Sequence, residues 1–145
     1  MTQRPVRSIV EQRKVIAATE NTTVSEAARA MREHKAGAIL IVNDAGLAGI
    51  FTERDALYRV VAEGRDPKAT RLVEVMTRNP RTIHPDEPFT AALRVMHDGG
   101  FRNVPVVEKG RALGVVSVGD AMGPELKDFV YELLRLEQAD DVMPG

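Results

Sequence analysis

The sequence has 145 residues, no cysteine and a formal net charge of -1, with 20 basic and 21 acidic residues interspersed along it. Disulfide bonds and thiolate metal sites are therefore excluded, and there is no basic field that would hold a long polyanion such as DNA or RNA. No apolar run is long enough to span a bilayer, and no signal-peptide pattern follows Met1. We expect a soluble, cytoplasmic protein with neither nucleic acid nor a membrane among its partners.

The first elements in chain order are a short entry strand over residues 15–18 and then a helix. Thr23 and Glu26 form a capping-box pattern that would start this helix. Four apolar residues then fall at i, i+3, i+4 and i+7, which places them on one helical face: Val24, Ala27, Ala28 and Met31. The pattern predicts an amphipathic helix that packs on a core.

Two short apolar runs follow, over residues 39–42 and 47–51, around a turn that contains Gly46. Runs of this length around a glycine-containing turn predict a β-hairpin. A second helix is expected to start at Thr52. The first half of the chain is therefore predicted to be β-α-β-β-α.

The same pattern returns in the second half, because residues 24–57 align with residues 89–122 at a constant offset of 65 without a gap. An entry strand over residues 81–84, a helix, a hairpin and a helix from Ser117 are predicted there. Seven aligned pairs are identical: Ala27/Ala92, Arg29/Arg94, Met31/Met96, Val42/Val107, Gly49/Gly114, Asp55/Asp120 and Ala56/Ala121. An internal repeat of this kind indicates two copies of one α/β (α+β) unit.

A last helix is predicted after Gly123-Pro124, since proline is favourable at a first helical position. Its apolar residues recur at helical spacing: Leu126, Phe129, Val130, Leu133 and Leu134. This face either packs on its own domain or forms a dimer contact. The predicted organisation is repeat 1 over residues 5–63, a linker over 64–72, repeat 2 over 73–123 and a C-terminal helix over 124–138.

The turn between the second strand and the second helix has the form G-h-h-[ST]-x-x-D twice, at residues 49–55 and 114–120. The glycine lets a ligand or a neighbouring backbone come close. The hydroxyl lies at a helix N-terminus, which attracts phosphate, and an ionised aspartate accepts hydrogen bonds from ribose hydroxyls. A single [ST]-x-x-D is more often a helix cap. Its repetition at equivalent positions favours a ligand site.

Together these motifs resemble the CBS domain family, whose members occur as tandem pairs called Bateman modules. The resemblance extends over residues 5–122 and is carried by six segments: residues 23–31, 49–55, 75–77, 82–85, 102–107 and 114–120. It implies two repeats packed through their sheets with pseudo-two-fold symmetry. It also implies up to two sites in the cleft between them for AMP, ADP, ATP, S-adenosylmethionine or a nicotinamide dinucleotide.

The family's ligand roles pass to the matching positions of this chain. The resemblance implies that Asp55 and Asp120 bind the ribose of a ligand and that Thr52 and Ser117 lie near its phosphate. The base slots, where backbone groups would read the adenine edge, are implied at four residues: Ala17, Ala18, Thr82 and Ile83.

The family often has basic residues that face phosphate just before the first strand of the hairpin, where this chain has Arg102 and Asn103 before Val104 and Pro105. Arg102 suits phosphate by its forked donors, or is a solvated surface residue. The first repeat has no cation at the matching positions. Arg54 in its turn either reaches a phosphate or forms surface ion pairs.

The resulting hypothesis is a non-catalytic regulatory module that binds an adenosine nucleotide, forms a homodimer and signals to an unknown protein partner. No catalytic group, metal site or resident cofactor is expected, because the three histidines lack metal-ligand spacing. The alternative is a constitutive dimerisation or interaction module whose cleft is vestigial. The preferred nucleotide and the number of occupied sites stay open.

Overall fold

The computed structural model describes the backbone of residues 3–142 and the side chains of residues 3–136. The helices are α1 (Arg7–Val10), α2 (Val24–His34), α3 (Glu53–Asp55), α4 (Leu72–Val75), α5 (Phe89–Gly99) and α6 (Gly123–Val142). The strands are β1 (Ala17–Ala18), β2 (Ala38–Asn43), β3 (Gly46–Thr52), β4 (Thr77–Arg78), β5 (Asn103–Glu108) and β6 (Arg111–Ser117). A π-helical segment, Ala56–Val61, continues α3, and a 3₁₀ turn, Val118–Asp120, follows β6.

The first repeat is a four-stranded sheet covered by α2. The strand order is β1-β2-β3-β4, with β1 parallel to β2 and the other pairs antiparallel. Helix α2 starts as predicted, because the backbone N–H of Glu26 donates to Thr23 Oγ1 at 3.2 Å and that of Thr23 donates to Glu26 Oε1 at 3.2 Å. The helix buries Val24, Ala27 and Met31, whereas Ala28, expected on the same face, is exposed.

The two hairpins have the same register, which confirms the internal repeat. Ala38 pairs with Thr52 in β2–β3, and Asn103 pairs with Ser117 in β5–β6, at the offset of 65. Both hairpins carry an irregularity at the same place, after Ile41 and after Val106.

The second repeat departs from the predicted elements at both ends. The entry strand predicted over residues 81–84 is reduced to one bridge between Ile83 and Val106. The helix predicted from Ser117 is only a 3₁₀ turn, and the long helix α6 begins at Gly123. Glycine at position 119 and the Gly123-Pro124 pair disfavour a continuous helix through this segment.

The N-terminal segment packs on the second repeat, not on the first. Val6, Ile9 and Val10 are buried in the same core as Phe89 and Met96. The backbone N–H of Phe89 donates to the carbonyl of Arg4 at 2.8 Å. Residues 11–16 then lead across to β1 of the first repeat. The sequence pattern assigns residues 5–10 to repeat 1, but their apolar side chains complete the core of the other repeat.

The two repeats pack through their sheets, as the resemblance implied. Ala38, Leu40 and Ile50 form a buried cluster against Ala112 and Val115 of β6. Within the described residues, no helix has the length and apolarity that crossing a membrane would require.

Candidate functional site

A cleft lies between the repeats beside this apolar interface, and it contains two adjoining cavities. The larger has a volume of about 440 Å³ and the smaller about 360 Å³. Both are lined by Gly37 from the first repeat and by Asn103 and Ser117 from the second. A ligand in the cleft would therefore contact both repeats.

The larger cavity lies where the ends of several elements meet. The crossing segment contributes residues 13–16, and the C-terminal end of α2 contributes residues 34–37. Lys35 adopts the left-handed conformation that ends α2 and turns the chain into β2. The second repeat contributes β6 and the 3₁₀ turn with Ser117 and Asp120.

Asp120 is the main buried acceptor of the larger cavity, with its side chain only 10% exposed. Its Oδ2 accepts a hydrogen bond from the backbone N–H of Ser117 at 2.8 Å and one from Arg13 Nη1 at 3.0 Å. Its Oδ1 accepts from Arg13 Nη2. Asp120 therefore caps its own turn through Oδ2, pairs with Arg13 through both oxygens and lines the larger cavity. A cap and a ligand contact are compatible at this residue.

The matching aspartate of the first repeat faces elsewhere. Asp55 Oδ2 accepts from the backbone N–H of Thr52 at 3.0 Å, and Oδ1 lies 3.5 Å from Arg59 Nε. Arg59 in turn donates to the carbonyl of Met76 at 3.0 Å. Asp55 lines neither cavity of the cleft, although Thr52 lines the smaller one. The two repeated turns are therefore not equivalent.

Basic side chains dominate the cleft. Arg54 and Arg102 line the smaller cavity, and Arg54 Nη1 donates to the carbonyl of Gly100 at 3.0 Å, which links the two repeats. Five arginines and lysines line the two cavities against two carboxylates: Arg13, Lys14, Lys35, Arg54 and Arg102 against Glu53 and Asp120. An excess of positive charge in a concave site attracts anionic ligands.

The structure brings six of the predicted ligand residues to the walls of the cleft: Thr52, Arg54, Arg102, Asn103, Ser117 and Asp120. Seven others line neither cavity: Ala17, Ala18, Asp55, Thr82, Ile83, Val104 and Pro105. Ile83 and Val104 lie in the core of the second repeat, and Val15 and Ile16 line the larger cavity where Ala17 and Ala18 were expected. Ligand contacts of those seven residues stay predictions.

Sequence reasoning missed three basic residues of the larger cavity, Arg13, Lys14 and Lys35. Two of them were visible as an adjacent basic pair just before the first entry strand. Their position depends on the N-terminal segment packing on the second repeat, which periodicity does not reveal. Lys35 was hidden because the aligned residue of the second repeat is Gly100.

The glycines of the repeated motif make room for protein atoms. A Cβ on Gly49 would lie 2.7 Å from Met76 Sδ and 2.7 Å from the carbonyl oxygen of Thr77. A Cβ on Gly114 would lie 3.1 Å from Val10 Cγ1. Close approach of a neighbouring chain segment is observed at both glycines, and Gly114 also lines the larger cavity, so a ligand contact at Gly114 stays a prediction.

A second charged cluster lies outside the cleft. His84, Asp86 and Glu108 form a possible metal-ligating group among the described residues, with ligand atoms within 4.8 Å of one another. Arg7 Nη2 is 3.0 Å from Asp86 Oδ1 and 2.8 Å from Glu108 Oε2. The hydrogen bonds from Arg7 hold the pKa of Glu108 below its usual range. The cluster is thus an ion-pair network that fastens α1 to the second repeat.

Comparison with known proteins places this fold in a family. The model of the CBS domain matches the chain twice, at residues 6–62 and 72–123. The chain is 33% identical over 123 residues to the mitochondrial CBS domain-containing protein CBSX3 of Arabidopsis thaliana. The match covers 81% of this chain and 60% of that relative, so the chain spans less than two thirds of its length.

Solved structures show the same architecture. A CBS-domain protein from Burkholderia ambifaria superposes with a TM-score of 0.74 at 33% identity, over 80% of this chain and 89% of the other. The CBS domain protein PAE2072 from Pyrobaculum aerophilum, described as complexed with AMP, superposes with a TM-score of 0.76 over 88% of this chain and 98% of the other. At 22% identity, the second likeness concerns the fold. The chain belongs to the CBS domain family and carries two copies of the domain in tandem.

Proposed function

We propose that this protein is a non-catalytic regulatory module that binds a phosphate-bearing adenosine nucleotide in the cleft between its two repeats. One observation carries the proposal: the nearly buried carboxylate of Asp120 faces the same cavity as Arg13, Lys14 and Lys35. A carboxylate accepts hydrogen bonds from a ribose diol, and the cations pair with phosphate. At about 440 Å³, the cavity falls within the usual size range of small-molecule sites.

AMP, ADP and ATP are the first candidates, with S-adenosylmethionine and nicotinamide dinucleotides next. We expect one nucleotide per chain, because Asp120 faces the cavity whereas Asp55 is turned toward Arg59. Arg102 and Arg54 in the adjoining cavity would take the distal phosphates of a longer ligand. AMP would fill the larger cavity alone.

The position of the cleft between the repeats suggests how a bound nucleotide would regulate a partner. A ligand there touches both repeats and the crossing segment 13–16, so its affinity depends on how these parts are packed. A nucleotide shifts an equilibrium between two packings by the difference in its affinity for them. A protein partner would read that shift. The partner and the cytoplasmic location stay predictions, as does the lack of a resident cofactor.

A thermal-shift screen of the purified protein tests the proposal. A nucleotide at 100 times its Kd stabilises the fold by about 2.7 kcal/mol. For a chain of this size the melting temperature should rise by roughly 5–10 °C. Mass spectrometry of any ligand retained from expression would identify the natural one. The sensor hypothesis fails if none of the candidate nucleotides moves the melting temperature, and steady ATP hydrolysis would refute the absence of catalysis.

A second candidate function, constitutive self-association, is supported by exposed apolar side chains. Leu57, Tyr58 and Val61 on the π-helical segment are 54%, 60% and 68% exposed, and Val130 and Leu134 on α6 are 51% and 53% exposed. Apolar side chains clustered on helix faces are typical of interfaces. We propose a two-fold homodimer through these faces, the commonest closed arrangement.

Helix α6 packs on its own domain through one side, and its other apolar residues are available for the proposed dimer contact. Phe129 packs against the core of the second repeat, and its ring meets His97 edge to face at 5.9 Å. Val130 and Leu134 remain half-exposed. A dimer whose stability no nucleotide changes would favour the interaction module over the sensor. A dimer with a nucleotide-dependent melting temperature would favour the sensor.

A further inference from the structure

Arg13 occupies the part of Asp120 that a ribose would need. Oδ2 of Asp120 is committed to the backbone N–H of Ser117, and among the described residues Oδ1 accepts only from Arg13 Nη2. The guanidinium contacts both oxygens at once, since Nη1 lies 3.0 Å from Oδ2. Two parallel N–H···O bonds of this kind are among the stronger ion-pair geometries.

A ligand that places its ribose on Asp120 must therefore displace Arg13. The carboxylate is 10% exposed and the arginine side chain 48% exposed, so the arginine can leave toward solvent more easily than the aspartate can. Displacement costs free energy unless Arg13 gains another anion. A phosphate in the same cavity supplies one, whereas a nucleoside supplies none.

The surroundings of Arg13 strengthen this competition. Lys14 and Lys35 line the same cavity, and among the described residues Asp120 is the only carboxylate on its walls. Like charges around Arg13 leave Asp120 as its anionic partner there, and its hydrogen bonds to that carboxylate raise the pKa of Arg13 further. The guanidinium therefore stays charged whether its partner is Asp120 or another anion.

We propose that Arg13 is a selectivity residue that makes the cleft favour phosphorylated nucleotides over nucleosides, by competing with ribose for Asp120 and releasing it when a phosphate arrives. This inference rests on the proposed function of the same cleft. It adds that one side chain lowers the affinity for a ligand without phosphate and raises the affinity for a ligand with one.

Titration calorimetry with AMP and adenosine tests it on the wild type, on Arg13→Gln and on Lys14→Gln. Arg13→Gln should weaken AMP and strengthen adenosine, so that the ratio of the two affinities falls by roughly 10-fold or more, the scale of a charge-assisted hydrogen bond. Lys14→Gln removes the same charge from the same cavity but does not free Asp120. It should weaken AMP without strengthening adenosine.

Two further measurements separate this inference from the proposed function. If the wild type binds neither AMP nor adenosine, the selectivity role is overturned, whereas the proposed function is overturned only if ADP, ATP and the other candidate nucleotides also fail to bind. If the wild type binds AMP and Asp120→Asn weakens that binding sharply, yet Arg13→Gln keeps the wild-type ratio, the selectivity role alone is overturned. That role is also overturned if Lys14→Gln strengthens adenosine as much as Arg13→Gln does. Arg13→Lys keeps the charge without the two-point contact and should give an intermediate ratio.

Discussion

Arg4 Nη2 donates a hydrogen bond to the backbone carbonyl of Asp120 at 2.9 Å, across 116 residues of sequence. The same nitrogen lies 2.6 Å from Glu125 Oε1 at the start of α6, and the guanidinium lies 5.2 Å from the centre of the Phe89 ring. One side chain of the N-terminal segment thus touches the turn of the cleft, the last helix and the core of the second repeat.

Arg4→Met should destabilise the fold, because it keeps the apolar stem but removes the ion pair and the hydrogen bond. The side chains of Arg4 and Glu125 are 26% and 15% exposed, so we expect a loss of about 1–2 kcal/mol, discounted for partial solvation. The melting temperature should fall by a few degrees. Arg4→Lys, which keeps a charge near Glu125, should lose less. Equal melting temperatures for the wild type and Arg4→Met would show that this junction is energetically neutral.

Asp120→Asn should separate the ligand role of this residue from its role as a cap. The amide oxygen can still accept from the backbone N–H of Ser117, and the lost ion pair involves an Arg13 side chain that is 48% exposed and screened by solvent. The stability of the ligand-free protein should therefore stay within about 1 kcal/mol of the wild type. Loss of a charged hydrogen bond to ribose should weaken nucleotide binding by roughly 10- to 150-fold. Titration calorimetry measures this change.

Asp55→Asn is the matched control, since Asp55 makes the same backbone contact with Thr52 but lines neither cavity. Its nucleotide affinity should stay close to that of the wild type. A loss of affinity equal to that of Asp120→Asn would point to a second occupied site. If Asp120→Asn keeps its nucleotide affinity but has a lower melting temperature, Asp120 only caps its turn and does not bind the ligand.

Acid should destabilise the fold in part through Glu108, whose pKa is lowered by hydrogen bonds from Arg7. A carboxyl with a lowered folded-state pKa contributes stability above its ordinary pKa and loses it as the pH falls through the folded value. Below about pH 4, the wild type should therefore lose melting temperature faster than Glu108→Gln.

Glu63→Gln is the control for that comparison, because Glu63 is exposed and none of the ion pairs among the described residues includes it. Melting curves between about pH 3 and pH 6 on the three proteins give the answer. If Glu108→Gln follows the wild type over this range, the Arg7–Glu108 pair contributes nothing to acid sensitivity.

Gly49→Ala should be costly, since the added Cβ would lie 2.7 Å from both Met76 Sδ and the Thr77 carbonyl oxygen. Overpacking of this kind costs about 1–3 kcal/mol. Gly119→Ala makes the same chemical change in the 3₁₀ turn, where the new Cβ would lie 3.6 Å from Ser117 Oγ, an ordinary contact distance. It should be neutral or stabilising by thermal denaturation. Equal effects at the two sites would contradict the packing role of Gly49.

Val61→Glu should weaken self-association if the π-helical segment forms the dimer contact. Val61 is 68% exposed, so the charge should cost the isolated chain little stability. Sedimentation at micromolar concentration should show a dimer for the wild type and a monomer for the variant. A matched Glu63→Gln protein should behave like the wild type. A monomeric wild type would refute the proposed homodimer.

Capping, turn and periodicity signals in the sequence predicted the helices and strands whose formation depends on neighbouring residues. The capping box of Thr23 and Glu26 and both hairpins are confirmed, because turn chemistry and periodicity act within a few residues. The duplicated alignment predicted the shared register for the same reason. Where local rules were weak, as at Gly119 and Gly123, the predicted second helix became a short turn.

The cleft could be predicted only in part, because its walls come from segments far apart in sequence. Asp120, Ser117 and Asn103 were found by motif, since they belong to the repeated unit. Arg13 was not found, because its place beside Asp120 depends on where residues 5–10 pack. The orientation of Asp55 could not be predicted from the motif either, because Arg59, which pairs with Asp55, lies outside it.

The burial of Val6, Ile9 and Val10 in the second repeat has a consequence for how the chain folds. These residues are synthesised well before the core that receives them, which is completed only when Val104, Val106 and Val116 have left the ribosome. The first repeat can close its own sheet in the meantime, while the second must wait for a contact that spans about a hundred residues of chain. Long-range contacts of this kind slow folding. A fragment with only residues 72–123 would lack three apolar side chains that fill the core of the second repeat. We therefore do not expect the second repeat to fold by itself.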